Sequence, residues 1–353
     1  MMTQSTGQLS RERLVQLPKT DLHVHLDGSL RASTLIELSR EHGRPLPFDD
    51  EAELADFMCV TDARDLIDYL ARFDTTLAVM QTAPAIERIA FELASDCAAE
   101  NVRYVEVRFS PLLNTRGDLT MHGAIDAALA GLRRAEREHG IRSNLIICAL
   151  RHMEAATSLE LARVAVDYKD RGVVAFDLAG PERGYPPAVH RDAFRFAARA
   201  NLAVTIHAGE AYGPESIREA LHDCSARRIG HGTRLFEDPE LLAYITDFRV
   251  PIEICLTSNV QTRVAPTFAD HPLRRFHEAG AVTTLNTDNR LMSGTTVTDE
   301  YLRAHEHLGL GWAQLCDIAI QGFESAFLPW HEKRALVESI RREISTLESD
   351  NGD

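Results

Sequence analysis

A chain of 353 residues that is 44% hydrophobic can bury a large core, and its length suits two ordinary domains or one α/β barrel. The formal net charge of −15 opposes a phosphate backbone, and no run of Lys and Arg overrides it locally, so nucleic acid and anionic membrane are set aside as partners. The opening MMTQSTGQLSRERLVQLPK lacks a signal peptide's apolar segment and no stretch reaches the roughly 18 apolar residues of a membrane span, so a cytoplasmic protein is expected.

Taken in chain order, eight short β-rich runs are bounded by turn residues: TDLHVHL (20–26), VRYVEVRF (102–109), SNLIICAL (143–150), VVAFDLAG (173–180), AVTIHAGE (203–210), RRIGHGT (227–233), PIEICLTSN (251–259) and AVTTLNTDN (281–289). Almost all read as apolar on both faces, as strands of a covered parallel sheet do. Stretches of helical spacing such as AIDAALAGLRRAEREHG and DAFRFAARA lie between most of them. Strand and helix alternating eight times predict a single (β/α)8 barrel spanning residues 1–353. The open doubly wound sheet is the alternative, but HLDGSLRAS after the first run is no glycine-rich phosphate turn.

Residues 27–101 break the rhythm and predict a helical insertion. Within it, TDARDLIDYLARFDTTLAVM (61–80) puts Leu66, Ile67, Leu70 and Phe73 on one helical face. An insertion after a strand's carboxyl end sits over the barrel mouth, so this helix is read either as a lid or as plain packing on the barrel. Extra C-terminal helices follow the eighth run, and residues 349–353 read as a disordered tail.

Alternate side chains of a strand share a face, so His23 and His25 can grip one cation. His305 and His307 have the same spacing in AHEHLGL, which reads as helix, where residues two apart face differently. Spacing alone is therefore weak. Its weight comes from His207 in TIHAGE, His231 in RIGHGT and Asp288 in LNTDN, all at carboxyl ends of strands, the face where a barrel collects its catalytic groups. Three imidazoles and a carboxylate suit zinc with an open position for water. The residues themselves leave open which of the four histidines stays off the metal. Glu210, three residues beyond His207, is free to serve as a proton-transfer group.

Several designs are excluded. The cysteines Cys59, Cys97, Cys148, Cys224, Cys255 and Cys316 form no CxxC pair and read as buried free thiols, which removes the HxE and PCxxC zinc deaminases. Only Lys19, Lys169 and Lys333 occur, none in a predicted strand, which argues against two metals bridged by a carboxylated lysine. No GxSxG elbow or P-loop is present.

TDLHVHLDGSL, YVEVRFSP, LRHM, DLAGPE, HAGE, RIGHGT, CLTSNVQT with HPL, and LNTDN follow one another through nearly the whole chain, one to a strand. In that order they resemble the adenosine deaminases of the amidohydrolase superfamily, and the NTDNRLMS form resembles bacterial members. The resemblance implies one zinc ion per chain on His23, His25, His207 and Asp288, with Glu210 as proton donor and His231 positioning the attacking water. It further implies that Asp27 receives a ribose hydroxyl, that the Gly180 amide meets a purine nitrogen, and that His25 borders the substrate. Asn289 stands where animal members have an aspartate that bonds the purine, and its amide can donate without first being protonated. Pro181 and Glu182 after Gly180 are a smaller departure. The expected reaction is hydrolysis of adenosine or 2'-deoxyadenosine to inosine or deoxyinosine and ammonia. Rival readings are the same chemistry on adenine or 6-aminodeoxyfutalosine, a nucleoside-binding protein without activity, and a metal phosphoesterase.

Overall fold

A computed structural model describes residues 9–61 and 66–350. Eight parallel strands run in the order β1 (Lys19–His25), β2 (Val102–Phe109), β3 (Arg142–Leu150), β4 (Val173–Ala179), β5 (Ala203–Ala208), β6 (Arg228–His231), β7 (Ile252–Ile254) and β8 (Thr283–Leu285). The seam closes beyond β8, where His25 N donates to Asp288 O (2.7 Å) and Asp288 N to His23 O (2.8 Å). Helices such as Met121–His139 and Ala155–Asp167 cover the outside, giving the expected (β/α)8 barrel.

The strands are buried on both faces, but the two faces differ in kind. On β2, Val105 and Val107 pack outward into the apolar core, while Tyr104, Glu106 and Arg108 alternate with them and point into the barrel, the Tyr104 hydroxyl donating to Glu106 at 2.8 Å. A charged layer results. Arg108 donates to Asp177 on β4 and Glu253 on β7, both at 2.9 Å, and Arg228 on β6 donates to Glu253 (2.6 Å) and Glu106. All five side chains are essentially excluded from solvent. The expectation of strands apolar on both faces is corrected accordingly, because acids and bases that pair with one another inside the barrel are invisible to a hydropathy pattern.

Other boundaries also move. Residues Leu256–Gln261 form a helical turn rather than the end of the seventh strand, and the eighth strand stops at Leu285, before Asp288. Lys19 opens β1, contrary to the expectation that no lysine lies in a strand. It sits at the amino end of the barrel, where its Nζ donates to the carbonyls of Leu14 (2.6 Å) and Leu17 (2.8 Å) and ties down the helix Arg11–Gln16. Five cysteines are buried and Cys59 is half-buried.

Between β1 and β2 lie the helices Ala32–His42, Glu51–Met58, Leu66–Leu70, Phe73–Leu77 and Ala83–Ala99. The single helix expected over 61–80 is two short ones. The two are parted by a turn at Ala71–Arg72, and the second ends at Leu77, just after Thr75 and Thr76, weak helix formers of which Thr76 turns its hydroxyl back to the Phe73 carbonyl at 3.0 Å. The start of that expected helix, residues 62–65, lies outside the described residues. At the other end of the chain, Val297–Leu308, Trp312–Ser325 and Trp330–Asp350 are the expected C-terminal helices. Trp312–Ser325 packs on β1 so closely that a Cβ on Gly322 would lie 2.2 Å from Thr20 Oγ1. Ser349 and Asp350 belong to the last helix, and the rest of the expected tail, 351–353, lies outside the described residues. No helix among the described residues is long and apolar enough to cross a membrane.

Arg228→Ala would leave Glu106 and Glu253 buried without their shared partner. Urea denaturation is expected to show a loss of about 3–5 kcal/mol, against less than about 1 kcal/mol for removing an exposed pair such as Arg134 with Glu138.

Candidate active site

Alternation along β1 turns His23 and His25 inward, and β5 turns His207 to meet them. His231 ends β6 and Asp288 follows β8. Both take a left-handed backbone, φ 61° and 59°, that turns their side chains over the mouth. Gly230 leaves room for this convergence: a Cβ there would stand 3.0 Å from His23 Cε1.

The polar atoms crowd one point. His25 Nε2 lies 3.1 Å from His207 Nε2 and 3.4 Å from Asp288 Oδ1, and His23 Nε2 lies 3.5 Å from the same oxygen. Donors bonded to one zinc ion at about 2.0–2.1 Å stand about 3.3 Å apart when tetrahedral. The ligating atoms of His23, His207, His231 and Asp288 also fall within 4.8 Å of one another. Two sets of four thus share His23, His207 and Asp288 and differ in whether His25 or His231 completes them.

Two carboxylates orient this cluster from below. Glu253 Oε2 accepts from His23 Nδ1 (2.8 Å) and Asp177 from His207 Nδ1 (3.0 Å), so both rings turn an Nε2 lone pair toward Asp288. His23 Nε2 is buried and makes no hydrogen bond within the protein, leaving a lone pair against a carboxylate unless a cation lies between them. Burial lowers the pKa of His25, His207 and His231, keeping their lone pairs free, whereas at His23 burial and Arg108 are outweighed by the neighbouring Asp288 and Glu253, which raise it, so a cation there would displace a proton. Burial opposes the charge on Asp288, but the adjacent imidazoles outweigh it and hold its carboxyl well below the usual range. The donors, their protonation and their spacing fit a metal ion.

Above the cluster lies a cavity of about 340 Å³ lined by His25, Asp27, Gly180, His207, Glu210, His231, Asp288 and Asn289. Leu66, Leu70 and Phe73 from the insertion close its outer wall, with Tyr69, whose hydroxyl lies 2.9 Å from Ser293 Oγ. Eight of the nine predicted site residues therefore line one cavity, and His23 lies beneath its floor. Gly180 has φ 97°, reserved for glycine, and Gly28 makes room for Asn289, whose Oδ1 would lie 1.7 Å from a Cβ at that position. His305 and His307 are elsewhere, His305 bonding Leu310 O and His307 stacking on Phe268.

Glu210 is buried, and desolvation, then the charges of Asp288 and Glu182, push its pKa well above the ordinary carboxylate value. Asp27 is pushed up to about 7 by burial and by Asp288. The Glu182 carboxylate accepts the amides of Gly209 (2.7 Å), Glu210 (3.0 Å) and Tyr212 (2.8 Å), fixing the loop that carries Glu210. Glu182, Asp177 and Glu253 have no role in the sequence reading. An acid inside a buried strand, DLA or IEI, is the signal that marks the last two.

A parallel barrel that gathers histidines and an aspartate at the carboxyl ends of its strands is the architecture of an amidohydrolase-type, metal-dependent hydrolase. A family model described as adenosine deaminase matches residues 18–343, and the chain belongs to that family. It is 43% identical to an adenosine deaminase of Mycobacterium sp. (strain JLS), with 95% of this chain and 97% of the relative covered. Among solved structures, an adenine deaminase from Arthrobacter aurescens matches with TM-score 0.86 and 26% identity, covering 93% of this chain and 99% of that one. The N6-methyl-AMP deaminase of Arabidopsis thaliana matches with TM-score 0.81 and 28% identity, covering 96% and 98%.

Asp177→Asn replaces the carboxylate that orients His207 with a neutral amide. Metal affinity, measured by competition with a chromophoric chelator, is expected to fall 10–100-fold.

Proposed function

We propose that this protein hydrolyses adenosine and 2'-deoxyadenosine to inosine and deoxyinosine with release of ammonia, using one zinc ion per chain. Full-length similarity to adenosine deaminases supports the substrate class. The single observation that carries the chemistry is the buried Glu210 carboxyl, whose pKa burial pushes up, standing 3.7 Å from His231 beside a metal-binding cluster.

His23, His25, His207 and Asp288 are assigned as the residues that hold zinc. When bound, zinc supplies a water acidic enough to ionise near neutral pH. Asp288 and His231 border that water's position and aim it at the purine carbon bearing the amino group. Glu210 gives its proton to the adjacent ring nitrogen as the water oxygen adds to that carbon, so negative charge does not build on the ring. Asp288 takes the proton that the water gives up and hands it to the amino group, the carbon–nitrogen bond breaks with loss of ammonia, and the remaining hydroxyl proton returns to Glu210 as the ring regains its aromaticity in inosine. Asp27 takes a ribose hydroxyl, supported by a buried Oδ1 that lacks a partner. The Gly180 amide and the Asn289 side chain meet the purine, and the insertion at 27–101 acts as the lid through Leu66, Tyr69 and Phe73. Purine salvage in the cytoplasm is the corresponding cellular role.

The similarity to an adenine deaminase structure gives a specific rival, in which the same centre serves free adenine. Asp27 separates the two, because a nucleoside supplies the hydroxyl that this carboxyl lacks. Zinc-loaded protein incubated separately with adenosine, deoxyadenosine, adenine and 6-aminodeoxyfutalosine is expected to release ammonia fastest from the two nucleosides. Faster release from adenine would replace the assignment. Glu210→Gln is expected to lower kcat on adenosine by about 10²–10⁴-fold with zinc content unchanged, whereas loss of zinc in that variant would make Glu210 a ligand.

A further inference from the structure

His25 and His231 compete for the fourth place around Asp288, and a hydrogen-bonded chain behind His231 distinguishes them. It begins at a donor with no alternative role: the backbone N–H of Leu273 points at His271 Nδ1, 3.1 Å away. His271 Nδ1 must accept, so the proton of this ring is on Nε2. Burial holds the ring neutral, with its pKa pushed down to about 3.

His271 Nε2 lies 3.1 Å from Asn259 Oδ1, and the Thr233 hydroxyl donates to the same oxygen at 2.8 Å. Two donors on one atom fix the orientation of the amide, with oxygen toward His271 and nitrogen toward His231. Asn259 Nδ2 stands 3.0 Å from His231 Nδ1. An amide NH2 only donates, so His231 Nδ1 accepts and the one proton of this imidazole is on Nε2, the nitrogen that faces Glu210 across 3.7 Å. His23 and His207 are oriented the opposite way, by carboxylates that accept from Nδ1 and leave Nε2 bare. Asn259 and His271 are fully buried and neither lines the cavity.

We propose that His271 and Asn259 are positioning residues that lock His231 as its Nε2–H tautomer, making it a hydrogen-bond donor at the reacting centre rather than a metal ligand. With no lone pair on Nε2, His231 cannot coordinate a cation there, and His25 becomes the third imidazole. The effect on turnover rests on the deaminase reading above, whereas the tautomer does not.

Histidine-selective ¹⁵N labelling with two-bond ¹H–¹⁵N correlation reads the tautomer directly, His231 being assigned by the signals lost in His231→Gln. In the wild-type zinc protein, Nδ1 is expected to carry the unprotonated signature and Nε2 the protonated one. Asn259→Asp keeps the shape but offers an acceptor, so Nδ1 gains a proton. In that variant kcat on adenosine is expected to fall about 10²-fold or more, with KM changing less than about threefold. His271→Ala frees the amide to turn and is expected to give His231 a mixture of tautomers, so it tests the relay should Asn259→Asp not fold. A proton on Nδ1 in the wild type, or a single unchanged tautomer in both variants, overturns the proposal. The expected tautomer in a protein that does not turn over adenosine would instead overturn the functional reading and leave the relay standing.

Discussion

Arg108 is the side chain on which the rest of the site depends. A guanidinium in the dry interior of a barrel is tolerated only if its charge is met, and here one fork meets Asp177 and Glu253 together while also donating to the Leu22 carbonyl. Those same carboxylates hold His207 and His23 by their Nδ1 atoms. Two of the site's imidazoles are therefore aimed by acids that Arg108 keeps ionised; burial opposes the charge on each, and the Arg108 guanidinium is among the partners that overcome it. Arg228 and Glu106 extend the pattern toward the far end of the barrel, so fold stability and site geometry draw on one network.

A division of labour follows from what stands behind each ring. His23 and His207 have carboxylates behind them and face the centre with lone pairs. His231 has an amide behind it and, under the proposed relay, faces the centre with a proton. Orientation by an acceptor or by a donor thus separates a ligand from a hydrogen-bond donor among chemically identical side chains. The cavity above adds a second contrast, since burial and neighbouring acids push the Glu210 pKa up while the imidazoles around Asp288 pull its pKa down. Acid and base chemistry can then proceed together at neutral pH.

Much of this was legible in the sequence. Eight strand-like runs with helices between them predict the barrel, and motifs ending those runs place His23, His25, His207, His231, Glu210 and Asp288 together, because a barrel converts strand ends into one surface. The interior was not legible. Glu106, Arg108, Asp177, Arg228 and Glu253 sit in strands that otherwise read as apolar, and only the barrel's closure shows that they pair with one another. The helical turn carrying Asn259 follows a strand of only three residues, Ile252–Ile254, too short to mark its own end. His271 is twelve residues from Asn259 in the chain, and no pattern in HPL announces a hydrogen bond to it.

An adenine deaminase and an N6-methyl-AMP deaminase share this fold, so the fold does not by itself choose the substrate, and the chemistry of this chain rests on the floor of its cavity. The floor is the central claim, and anomalous diffraction at the zinc edge from crystals of the zinc-loaded protein tests it most directly. One peak per chain is predicted, bonded at about 2.0–2.2 Å to His23, His25, His207 and Asp288, with His231 Nε2 beyond bonding distance. A peak bonded to His231 in place of His25, or a second peak in the barrel mouth, would contradict the account.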